Sequence, residues 1–108
     1  MKILITAGKS VEALRLFKHA KGNDVILADY GEMPHFPSKE YHFMSMGQLN
    51  ADTVAHSLLT FCLDNAVEAI LPVNDFEIRA VLESRILFEE FGIDMLNANE
   101  TDIIITNK

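Results

Sequence analysis

Few residues in this chain are equipped for chemistry, and the first of them stand together at positions 8 to 10. Gly8-Lys9-Ser10 follows the apolar run Ile3 to Thr6 and ends as a P-loop ends, with amides to cradle phosphate and a lysine to meet its charge. A P-loop also needs a glycine five residues before its Gly-Lys pair, and position 3 is isoleucine. A dinucleotide fingerprint needs three glycines, for the turn, the pyrophosphate approach and the helix packing. Only Gly8 is present, although Asp29, about twenty residues on, matches the ribose-binding acid by position. What survives is a loop presenting backbone amides at a helix N-terminus, from which weak anion affinity is expected.

The remaining candidates supply less. His35 and His42 flank a loop with Glu40 between them, Asp52 and His56 sit one helical turn apart, and His19 stands alone; none of these gives three convergent metal ligands. Cys62 falls on an apolar helix face, where cysteine behaves as a small hydrophobe. As the single cysteine it excludes an intramolecular disulfide and a cysteine-rich zinc site. A phosphoacceptor receiver domain wants paired carboxylates after its first strand, and here that place holds Thr6-Ala7-Gly8. Lys2, Lys9, Arg15, Lys18 and Lys21 oppose only Glu12 within the first 21 residues of a chain whose net charge is −7. Arg15, Lys18 and Lys21 complement the dipole of a helix C-terminus, so no nucleic-acid partner is expected. No apolar run reaches the 18 or so residues of a membrane helix, and the one after Lys2 is too short for a signal peptide. No membrane association and a cytoplasmic location are the corresponding expectations.

The elements that must position these residues follow from hydrophobic period and punctuation. At 108 residues, 49% hydrophobic and 23% charged, the chain has the composition of one ordinary globular domain. Ile3 to Thr6 reads as a buried strand, and Ser10 caps a helix over 11–20 in which Val11, Leu14 and Phe17 share a face. Gly22 and Asn23 stop that helix, and Asp24 to Ala28 is a second strand ending at Asp29. A crossover this short forces a parallel, right-handed pairing. Gly31, Pro34 and Pro37 mark a stiff loop, with a short strand at Tyr41 to Met44. Asn50 or Asp52 caps the next helix, whose face is Val54, Leu58, Phe61 and Cys62, and Asn65 ends it in a left-handed turn. Glu68 to Pro72 is a strand. Asn74 or Asp75 then caps one helix carrying Ile78, Val81, Leu82 and Leu87 up to Gly92. A last strand at Asp94 to Leu96 and a terminal helix from Asn99 complete the chain. The expected fold is α/β, a half-Rossmann-like open parallel sheet of four or five strands with helices on both faces. Ligands of such sheets gather beyond the carboxyl ends of the strands, which places any site on the loops 6–10, 29–31, 74–77 and 97–100.

The opening Met1-Lys2-Ile3-Leu4-Ile5-Thr6-Ala7-Gly8, the Asp29 that ends the second strand, the proline-bearing loop to Tyr41 and the turn Ile70-Leu71-Pro72-Val73-Asn74-Asp75-Phe76-Glu77 together resemble a known family. It is the N-terminal domain that precedes an ATP-grasp fold in carbamoyl-phosphate synthase large-subunit-like proteins and related carboxylate-amine ligases. The resemblance spans essentially the whole chain. Thr106-Asn107-Lys108 resembles the Asp-Lys junction with the ATP-grasp module, with Asn107 in place of Asp. It implies that ATP, magnesium and acyl-phosphate chemistry belong to that module, in cis or on a separate chain, and that residues 1–108 form a single domain without it. By position, Gly8, Lys9, Asn74, Asp75 and Glu77 would face the substrate cleft, while Ser10 and Asp75 would otherwise serve only as helix caps. The chain is then non-catalytic in isolation, with no cofactor of its own. The alternative is an autonomous nucleotide-binding or sensor module built on the Gly8 turn and Asp29. A homodimer covering Phe76 and Ile103, Ile104 or Ile105 is also expected.

Overall fold

A computed structural model describes residues 1–20, 22–33 and 41–96. Five strands, β1 (Lys2–Ile5), β2 (Asp24–Asp29), β3 (Tyr41–Ser45), β4 (Ala69–Leu71) and β5 (Asp94–Met95), form one open sheet in the order β3-β2-β1-β4-β5. Every neighbouring pair is parallel, with Ile3 opposite both Val25 and Ala69 in the central register. The expected α/β half-Rossmann-like architecture is therefore the observed one.

The apolar runs become strands because both of their faces are covered. Ile3 and Ile5 of β1, Val25 and Leu27 of β2, and Ala69 and Leu71 of β4 turn to one side, where they pack with Ala13, Leu16, Phe17 and Ala20. Leu4, Ile26, Ala28 and Ile70 turn to the other, against Val54, Leu58, Leu59, Cys62, Val81 and Phe88. Helix α1 (Val11–Phe17) lies on the first face, and α2 (Val54–Asp64), α3 (Asp75–Glu83) and α4 (Arg85–Glu90) on the second. The chain moves from β1 outward to β3, then crosses back over the sheet through α2 to β4. Right-handed crossovers running in opposite directions must use opposite faces, which makes the carboxyl ends of β1 and β4 the topological switch point.

Several local expectations are corrected. Helix α1 buries Ala13, Leu16 and Phe17, and Val11 is 84% exposed, so the apolar face is rotated from the Val11–Leu14–Phe17 stripe. The alanine at position 13 is small enough to bring the helix close to the sheet. The helix gives way after Phe17 to a 3-10 turn over Lys18–Ala20. In α2 it is Leu59 rather than Phe61 that joins the buried face, and the N-cap is Thr53; Asn50 instead accepts the Asp52 amide through its side chain at 3.1 Å. Asn65 is not left-handed. Ala66 takes that conformation, with φ 55°, while the Asn65 side-chain amide donates to the Phe61 carbonyl at 2.9 Å. The single helix expected up to Gly92 is two helices, because Ser84 (φ −110°, ψ 19°) departs from helical geometry. The break turns Phe88 into the core and leaves Leu82 and Leu87 exposed. The expected terminal helix with Ile103, Ile104 and Ile105, the loop 97–100 and the Pro34–Pro37 segment lie outside the described residues.

Candidate functional site at the switch point

The loop after β1 is shaped by a close approach of two backbones. A Cβ on Gly8 would lie 2.6 Å from the Leu27 carbonyl carbon and 2.7 Å from the Ala28 nitrogen, so only glycine lets this loop rest on β2. Ala7 before it takes the left-handed conformation (φ 54°), which lets the Ser10 amide reach back to the Ala7 carbonyl at 2.9 Å. Ser10 caps α1, as expected: its hydroxyl donates to the Ala7 carbonyl at 2.6 Å and accepts the Ala13 amide at 3.1 Å.

The same geometry engages the amides of Gly8, Lys9 and Ser10 within the fold. The Gly8 amide donates to the Ala28 carbonyl at 2.8 Å, and the Lys9 amide to the Asp29 carboxylate at 3.2 Å. Asp29 also receives the Tyr30 amide at 2.8 Å. In a dinucleotide site such amides face the pyrophosphate and such an acid faces the ribose; here they satisfy one another. The Lys9 ammonium donates to the carbonyls of Tyr30 at 2.7 Å and Glu32 at 3.3 Å, which ties the first loop to the end of β2.

On the other side of the switch point, Asn74 leads into α3. Glu77, expected to face the cleft, is instead fully buried. One of its oxygens, Oε1, accepts the backbone amide of Asn74 at 3.3 Å and its side-chain amide at 2.9 Å, and Oε2 accepts the Tyr30 hydroxyl at 2.7 Å. Three donors and a place in the first turn of α3, where the helix dipole favours an anion, let a carboxylate occupy this position. Burial first, and the Glu77 hydrogen bond second, hold the Tyr30 phenol well above its ordinary pKa. The Tyr30 and Phe76 rings lie tilted with centroids 6.3 Å apart. Below them Thr6, also fully buried, accepts the Val73 amide on its hydroxyl oxygen at 2.8 Å and so joins the ends of β1 and β4.

Of the residues expected at the site, Lys9 and Asp29 meet directly, Gly8 rests on Leu27 and Ala28 beside them, Asn74 meets Glu77, Ser10 serves as a cap, and Asp75 is an exposed acid in the first turn of α3. Sequence reasoning missed Thr6 and Tyr30, the two side chains that join these groups. The Asn74-x-x-Glu77 spacing of a capping box gave a local hint of the buried acid. A small pocket of about 10 Å³, little more than the space of one water, adjoins Tyr30 and is lined by Met46, Leu49, Val54 and Leu58 among others. His42 faces Asp24 at 3.9 Å on the opposite, amino edge of the sheet, and His19 and His56 are exposed on helices. No group of three or more metal-ligating side chains gathers among the described residues. Nor, among those residues, is any helix long and apolar enough to cross a membrane.

No curated protein matches the chain. The family model of the PylC-like N-terminal domain matches residues 3–96, which runs from within β1 to beyond β5 and takes in the four α-helices of the described residues. The chain therefore belongs to the PylC-like N-terminal domain family, domains of the pre-ATP-grasp type found in ATP-grasp ligases.

Proposed function

We propose that this chain is the substrate-side domain of an ATP-dependent carboxylate-amine ligase of carbamoyl-phosphate synthase-like chemistry, and that it is not catalytic by itself. The observation that carries this reading is the self-satisfied first loop: Gly8, Lys9 and Asp29 spend polar groups joining the loop after β1 to β2, and Ser10 spends its own on capping α1. A sheet edge built this way supports a cleft without itself gripping a nucleotide. ATP and magnesium would be held by an ATP-grasp module, in cis or on a separate chain, and activation of a carboxylate as an acyl phosphate would take place there. This domain would offer the rim at the start of α3, where Asp75 is exposed, to the amine or carboxylate substrate.

The competing reading, an autonomous nucleotide-binding or sensor module, needs the same Gly8 turn and Asp29 to be available to a ligand. Both are engaged within the fold. The experiment is an ADP-release assay on the purified chain with magnesium, ATP and a panel of carboxylates and amines. No turnover above background is expected, and ADP formation that depends on both carboxylate and chain would reject the reading.

A further inference from the structure

The three edge loops are joined pairwise in a closed ring of contacts. Lys9 and Asp29 join the loop after β1 to the end of β2, and Thr6 and Val73 join it to the loop after β4. The Tyr30–Glu77 hydrogen bond closes the ring by joining the end of β2 to α3. Neighbouring strands lie about 4.8 Å apart, so this last bond reaches over the end of β1 across two strand spacings. It thereby covers the switch-point crevice, where ligands of open parallel sheets bind.

The three links differ in kind. The first two include main-chain groups next to strands, and breaking them disturbs the sheet ends. The third is made by two side-chain tips and is undone by rotating one tyrosine. Glu77 would still keep the two Asn74 donors on Oε1 after that rotation. The ring has somewhere to move as well, because Tyr30 is only partly buried and can turn outward to solvent. We propose that Tyr30 is a latch on the switch-point crevice: closed on Glu77 it holds the β2 end and the start of α3 together, and swung out to solvent it opens the crevice and loosens both. This does not rest on the ligase reading, since the geometry is the same whichever ligand uses the edge.

Hydrogen exchange on the whole chain tests it. Tyr30→Phe keeps the ring and removes the hydroxyl, and exchange should accelerate about tenfold in residues 29–33 and also in 75–78, a segment that does not adjoin the substituted residue in sequence. The amides of Leu4 and Ile5 should keep their protection. Acceleration confined to 29–33, no acceleration in either segment, or an equal rise at Leu4 and Ile5 would overturn the latch. A double-mutant cycle with Glu77→Gln gives a second reading. The urea stability of the double variant should fall no further than that of the weaker single variant, and additive losses would show that the two side chains are not coupled.

Discussion

Gly8 and Cys62 allow direct tests because the cause of each expectation is one atom. At Gly8 an added methyl meets main-chain atoms of β2, which cannot rotate away. Gly8→Ala should therefore destabilise the chain by about 2–3 kcal/mol, as overpacking does, with a lower urea midpoint as the readout. A change under half that size would mean that the loop can lift off β2. At Cys62, burial pushes the thiol up to about 12, against about 8.5 in an unfolded chain. The folded state then keeps a proton that the unfolded state loses. The contribution is fully present below about pH 8.5 and is lost as pH rises toward 12, with a slope of about 1.4 kcal/mol per unit. Tyr30 is shifted in the same direction but only matters above about pH 10. Comparison of urea stability at pH 8.5 and 10 should thus show a fall in the parent that Cys62→Ala largely removes; equal slopes would contradict a buried, neutral thiol.

The strands were legible from sequence because runs such as Ile3-Leu4-Ile5 and Val25-Ile26-Leu27-Ala28 are short, rich in β-branched residues and bounded by turn residues, which favours a strand buried on both faces over a helix. Helix faces were less legible. Val11 and Leu14 are as apolar as Leu16, and only the sheet decides that Ala13 and Leu16 point inward. The break at Ser84 was hidden for the same reason, since neither glycine nor proline marks it and the turn is imposed by Phe88 seeking the core. Phe88→Ala should accordingly cost about 3–5 kcal/mol, whereas Ile86→Ala, at a position 74% exposed, should change stability by less than about 0.5 kcal/mol. Similar losses at both positions, measured by thermal or urea unfolding, would mean that the two helices are continuous and differently phased. Ser10 was readable as a cap from its place before an apolar period, and Ser10→Ala should remove about 1 kcal/mol. The site was legible only in part: its loops followed from topology, but a bond between Tyr30 and Glu77, 47 positions apart, depends on which strands become neighbours.

For the whole molecule, strand order and polar bookkeeping lead to one functional claim. The order β3-β2-β1-β4-β5 builds the edge on which a Rossmann-like fold binds dinucleotides, and Gly8, Lys9, Asp29, Asn74 and Glu77 bond within the fold there instead. Calorimetric titration of the chain with ATP, ADP and NAD tests this most directly, because it asks whether those groups remain available to a nucleotide without presupposing a reaction. A domain that only supports a substrate cleft should give no heat of binding with a micromolar dissociation constant for any of the three. A micromolar isotherm, weakened by Asp29→Asn or by Lys9→Ala, would contradict the account and assign the edge to a nucleotide-binding module.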